Sequence, residues 1–282
     1  MIDALLNFDF IRYSLISGLL IGFIAPLIGA FIVVRRLSLI ADALSHVTLG
    51  GISFGMFLLT IIPVFSVINP MWFGILFAVI GALLIEKLRT SFSNYQEIAI
   101  PIIMSAGIAL SAIFISLADG FNQEIVGLLF GSISAVNISD LTTIIIITII
   151  VLLFIVLFYK ELFILSFDEE YSKVIGIPKW IQFLFIVIVA MVISASMRVV
   201  GILLVSALIT LPIAISMRIT KGFKQLIALS VILGELSVIL GLIIAFYMNI
   251  SPGGVIVVLL VLMLILTMII QKLKIKFKKG VV

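Results

Sequence analysis

The chain has 282 residues, 64% of them hydrophobic and only 11% charged, with a net charge of +4 and a mean hydropathy of +1.49. A soluble domain is about half apolar and about a quarter charged, so this composition excludes a water-soluble globule and a disordered chain. Cysteine is absent, which also excludes a disulfide scaffold and any thiolate metal site.

Roughly 180 apolar residues supply about nine membrane helices at about 20 residues each. No long polar stretch is left for a soluble catalytic domain. The basic balance lacks a basic face interleaved with aromatics, so nucleic acid is not a predicted partner.

The N-terminus does not read as a cleavable signal peptide. Asp3 and Asp9 precede Arg12, and the apolar run from Tyr13 to Val34 is too long for a signal core. Arg35 and Arg36 then act as a stop-transfer signal. The predicted spans cover residues 12–34, 38–62, 71–86, 98–117, 139–159, 180–197, 199–217, 225–248 and 253–271. Pro63 closes the second span; Pro70 and Trp72 open the third. The segment at 124–137, with GLLFGSISAV at its heart, is too brief and glycine-rich to cross and is predicted to be re-entrant or partly inserted. The fold class is therefore an all-α polytopic membrane protein of about 8–9 transmembrane helices. It forms one domain over 1–282, with a water-facing segment at about 160–179.

Lysine and arginine prefer cytoplasmic loops. Arg35–Arg36, Lys87–Arg89, Lys160–Lys179, Arg218–Lys224 and the Lys272–Lys279 tail all face the cytoplasm if the N-terminus lies outside. The C-terminus is then cytoplasmic, in a multi-pass protein of the cell membrane. Arg198 falls at the outer end, against the rule, and needs a partner or a buried role. Asp119, Glu124 and Asp140 read as a solvated outer rim.

Ionised groups in hydrocarbon cost several kcal/mol and mark functional positions. The second span carries Asp42 and His46 in LSLIADALSHVTLGG. Their i,i+4 spacing puts both on one helix face, roughly 5–6 Å apart at Cβ. A carboxylate and an imidazole at that distance can bind one divalent transition metal together, or can form a hydrogen-bonded pair that holds helices together. The spacing alone leaves both open. His46 is the only histidine, so one chain cannot build a tight site of several histidines. Two copies facing each other across a pore would supply two aspartates and two histidines. Glu235, in LGELSVILG, is a possible helper on an ion route or a carboxylate tied to a neighbouring helix. Pro212 predicts a kink in its span.

The segment SFDEEYSKVIGIP, 166–178, has its own punctuation. Asp168, Glu169 and Glu170 favour a helix start, and Gly176 and Pro178 a stop. A short amphipathic helix on the inner surface suits docking into a groove on a soluble partner.

Four stretches together resemble the permease subunits of manganese, zinc and iron ABC importers: RRLSLIADALSHVTLGG (35–51), LLFGSIS (128–134), FDEEYSKVIGIP (167–178) and VVGILLVSALITLPIA (199–214). Ala41 stands where that family commonly has glycine. The resemblance implies a fold similar to the vitamin B12 and siderophore importers and a homodimer with the pore at its interface. It implies a cytoplasmic ABC ATPase dimer below and an extracytoplasmic metal-binding protein or lipoprotein above. Asp42 and His46 match the family's proposed metal-contacting positions. Phe167, Asp168, Glu169, Glu170 and Gly176 match its ATPase-coupling helix. The cargo is then a divalent ion (manganese, zinc or iron), with no permanently bound cofactor. The chain has no GxxxxGK[ST], so ATP hydrolysis would belong to the partner. One other reading is a stand-alone secondary transporter or channel that couples protons through Asp42 and Glu235. A single histidine and no HExxH argue against an intramembrane metalloprotease.

Overall fold

A computed structural model describes residues 8–62, 69–92, 95–118, 123–132 and 136–279. Pro63, Asp119 and parts of the 118–138 stretch lie outside the described residues. Those described form helices and no strand. A lipid-facing segment must pair its own backbone groups, and the helix does this without a partner.

The helices are α1 (Asp9–Val34), α2 (Ile40–Ile61), α3 (Met71–Ser91), α4 (Ala99–Leu117), α5 (Gln123–Phe130), α6 (Ile138–Leu157), α7 (Tyr159–Phe167), α8 (Glu169–Ile175), α9 (Lys179–Val200), α10 (Ile202–Ile219), α11 (Phe223–Met248) and α12 (Pro252–Lys279). A 3₁₀ turn at Gln96–Ile98 leads into α4. Eight described helices are long and apolar enough to cross a membrane: α1, α2, α3, α4 with its 3₁₀ turn, α6, α9, α11 and α12. Helix α10 carries a shorter apolar stretch, Leu204–Ile219, and would make the ninth. Helix α5 has 8 residues. At 1.5 Å per residue that is about 12 Å, against a hydrocarbon core of about 30 Å, so α5 cannot cross. It packs instead on α9, α10 and α12.

Helices α1 and α9 are the most buried and form the centre; α12 lies at the periphery. Pro212 sits inside α10, whose helix runs through it, and its carbonyl accepts from Ser230 Oγ at 3.3 Å.

The clusters of positive charge predicted to share one side do gather at one end of the bundle. Arg35, Arg36 and Arg89 line a single cavity. Lys179 lies near Glu86 and Glu169, Lys221 near Arg36, and Arg218 against Gln271.

The opposite end meets one expectation and corrects another. Arg198 has the buried place it was expected to need: α9 continues three residues past its predicted end, through Arg198 to Val200, and Gly201, at φ 89°, makes the break before α10. Asp140 is not a solvated rim residue but fully buried. Asn137 caps α6 by accepting from the Asp140 amide at 2.9 Å, while the Asp140 carboxylate accepts from the Asn137 amide at 3.3 Å. Asn69 donates to the same carboxylate at 3.2 Å. Arg198 Nε lies 3.7 Å from it. The guanidinium thus has its counter-charge within the protein, joining α6 to α9.

Removing one partner of a buried pair strands the other charge and costs about 3–5 kcal/mol. Asp140→Ala is therefore expected to lower stability by about 3 kcal/mol in detergent, measured by denaturant unfolding. A loss below about 1 kcal/mol would place the pair with ordinary surface bridges.

Candidate functional site

Helix α2 begins at Ile40. Asp42 lies in its first turn, where unpaired amides and the helix dipole favour negative charge. His46 follows one turn later on the same face. From Ile40 to Ser53 every residue is buried except these two, which are partly exposed. Among the described residues neither side chain makes a hydrogen bond to another helix. Both sit in the part of α2 nearer Arg35 than the far end.

The other polar groups of α2 point elsewhere and are satisfied. Ser45 Oγ donates to the Ala41 carbonyl at 2.7 Å, and Thr48 Oγ1 to Leu44 at 2.7 Å. Thr48 also meets Ser194 Oγ of α9 at 3.2 Å. Helix α2 packs most extensively on α4 and α3. Gly107 of α4 lies close against the α2 backbone: a Cβ there would lie 2.7 Å from the Val47 amide nitrogen and 3.0 Å from the His46 carbonyl carbon. One turn on, Ser111 Oγ donates to the His46 carbonyl at 3.1 Å. The backbone under His46 is thus fixed by a bare glycine and a hydroxyl.

Among the described residues no three His, Cys, Asp or Glu side chains converge on one point. One chain offers a carboxylate and an imidazole, half of a four-ligand shell. Glu235 is not brought to them within the chain. Its helix, α11, packs on α1, α12 and α10, whereas α2 packs on α4, α3, α10 and α9. Glu235 is half-buried, with its backbone beside Gly22 of α1.

The predicted water-facing segment is two helices joined at Asp168. That residue caps α8, accepting from the Tyr171 amide at 2.8 Å. Gly176 ends α8 in the left-handed region, at φ 82°, which glycine tolerates without strain. Phe167, Asp168, Glu170 and Gly176 are exposed. Beside them Tyr171, Val174 and Ile175 form an exposed apolar strip. Glu169 points the other way. Its carboxylate lies 3.4 Å from Arg35 and 3.9 Å from Arg89. Arg89 also donates to Glu86 at 3.1 Å and to Gln96 at 3.1 Å. Burial holds the Arg35 pKa below the ordinary arginine value, and the nearest group working the other way is Glu169. Helix α7 is seated by rings: Phe163 and Phe167 meet Phe223 at 5.3 and 5.6 Å, and Phe223 meets buried Phe31 at 5.2 Å.

Sequence reasoning missed Gly107, Ser111 and the inward role of Glu169. The only advance signal was the run of three acids, which does not say which one faces inward.

Residues 7–271 match the model of the ABC 3 transport family. A probable metal transport system membrane protein of Treponema pallidum (strain Nichols) is 32% identical over 271 residues, covering 94% of this chain and 98% of that one. The manganese transport system membrane protein MntC of Listeria monocytogenes is 29% identical over 257 residues, covering 91% and 89%. The solved structure of PsaBC from Streptococcus pneumoniae in complex with Fab superposes with a TM-score of 0.81 at 30% identity, covering 94% and 93%. A metal-chelate type ABC transporter solved in an inward-facing conformation shares the fold, with a TM-score of 0.63 at 18% identity over 87% and 81%.

Gly107→Ala is expected to overpack the α2–α4 contact at a cost of about 1–3 kcal/mol, measured as a lowered unfolding midpoint. An unchanged midpoint would show that α2 can move away from α4 freely.

Proposed function

The chain belongs to the ABC 3 transport family, and from that premise we propose that it is the membrane-spanning permease subunit of an importer for divalent transition-metal ions. The single observation that carries this reading is the openness of Asp42 and His46 on a stretch of α2 otherwise packed shut. In hydrocarbon such groups persist where they face a cavity or a partner.

Two copies would complete the ligand shell that one chain leaves half made. We therefore propose a homodimer with Asp42 and His46 of both subunits lining the route. Carboxylate oxygens suit manganese, imidazole suits zinc and iron as well, and thiolates are absent. The relatives named for manganese make that ion the first candidate, ahead of zinc and iron. We place the arginine- and lysine-rich end in the cytoplasm, following the positive-inside rule. The exposed strip of α8 is then the docking face for an ATPase dimer. An extracytoplasmic metal-binding protein delivers the ion at the Asp140 end. ATP binding acts on access only through a difference in how the ATPase engages the inward- and outward-open states. The exposed Phe167, Asp168, Glu170 and Gly176 contribute to that engagement.

Asp42→Ala and His46→Ala are each expected to cut uptake of labelled Mn²⁺ by about tenfold or more, in line with losing one of few ligands. Membrane insertion and ATPase binding should be retained. Normal uptake in both variants would remove the ligand role. Competing uptake of Zn²⁺ and Fe²⁺ in the same vesicles ranks the three ions. Glu170→Lys and Gly176→Pro are expected to reduce co-purification of the ATPase by about fivefold or more, as loss of an interface anchor does. Full co-purification with both would move the docking face elsewhere.

A further inference from the structure

Helix α8 has two sides, and they serve different neighbours. Its exposed side carries Glu170, Tyr171 and Val174. Its buried side sends Glu169 to Arg35 at 3.4 Å and to Arg89 at 3.9 Å. Arg35 is separated from Glu169 by 134 positions. Its side chain is only 4% exposed, and its guanidinium also lies 5.9 Å over the Phe185 ring.

The place of Arg35 in the chain matters more than its burial. It stands in the tight turn between α1 and α2. The Arg36 amide bonds back to Val33 at 3.0 Å, the Leu37 amide to Ile32 at 3.1 Å, and the Ile40 amide to Leu37 at 3.0 Å. Arg36 takes the left-handed conformation, at φ 59°. So short and bonded a turn has little slack, and a displacement of Arg35 passes into the first turn of α2, where Asp42 sits. The second partner leads to the same helix. Arg89 ends α3, and α3 packs on α2 through contacts at Thr48, Ile52 and Val47. The ring contacts of α7 reach Phe223 of α11 and Phe31 of α1, without a charged group.

We propose that the Arg35–Glu169 ion pair, supported by Arg89, is the link that carries movement of helix α8 into helix α2 and so positions Asp42 and His46 during transport. Arg35 and Glu169 are positioning residues on this view: neither touches the ion. The inference rests on the transport reading given above.

The test uses the permease with its ATPase and binding protein in proteoliposomes and reads Mn²⁺ taken up per ATP hydrolysed. Arg35→Met and Glu169→Gln are each expected to lower that ratio by about fivefold or more, the size of a modest coupling energy. The double variant should be no worse than either single, because one link is broken in all three. Arg35→Lys, which keeps the charge, should recover part of the ratio. An unchanged ratio in Glu169→Gln, or single effects that multiply in the double variant, would overturn the link. Should Arg35→Met fail to assemble with the ATPase, the half-exposed, isosteric Glu169→Gln and the charge-keeping Arg35→Lys decide the matter. If the unaltered complex moves no Mn²⁺, Zn²⁺ or Fe²⁺, it is the transport reading that fails, and the link is overturned with it; if the unaltered complex transports and the ratio ignores Glu169, the link alone fails.

Discussion

A guanidinium taken out of water must keep a carboxylate beside it, and in a chain this apolar there are few to choose from. Among the described residues the buried guanidiniums meet that requirement at opposite ends of the helices, Arg198 at one and Arg35 with Arg89 at the other. Arg198 lies by Asp140, which also caps α6 and receives Asn69. Arg35 lies by Glu169, which reaches Arg89 as well. Each pair joins segments far apart in sequence, so each helps fix how the helices assemble. Hydrophobic burial cannot do this alone, because lipid is as apolar as the helix faces and does not drive them together. Close packing at small residues and a few polar contacts supply the specificity.

The same accounting isolates the residues that the assembly does not use. Asp42, His46 and Glu235 are ionisable, lie within apolar helices, and hold neither Arg35 nor Arg198. Asp42 and His46 share one face, and the rest of that part of α2 is closed. Glu235 stands alone on α11, beside α1. The pair therefore has the geometry for shared chemistry, and Glu235 in one chain does not join it. Gly107 and Ser111 of α4 add precision, since they set the backbone under His46 rather than the ring itself. In the proposed role, a residue held through its backbone would keep its place while its side chain remains free to bind and release.

How much of this was legible in the sequence depends on how local each feature is. The helices were, because a run of about 20 apolar residues admits few other structures in a membrane. That α5 is too short to cross was legible for the same reason of length. Asp42 and His46 were, because four residues of helix fix a shared face. The ends of α8 were, because Asp168 and Gly176 act on their own neighbours. Pairing across the chain was not. Nothing in DEE tells Glu169 from Glu170; the difference appears when α8 lies against the α1–α2 turn, 134 positions away. Arg198 announced itself as out of place but not its partner. Asp140 looked solvated because it sits at a helix end, and it is buried there with Asn69 and Arg198 of α9 against its carboxylate.

An incomplete ligand set is better suited to a carrier than a complete one. A permanent site gathers four or more donors from one chain, aligns them through outer partners and holds its ion tightly. Here one chain presents an aspartate and a histidine, with no third acid, thiol or imidazole converging among the described residues. In the proposed dimer the full shell exists only while two α2 helices keep a particular separation. A small shift between them then changes the number of ligands the ion feels, and affinity falls without any group having to change its protonation. In that proposal the spacing of the α2 helices is the controllable quantity, and tying the short, hydrogen-bonded turn that leads into α2 to the proposed ATPase-docking helix would control it.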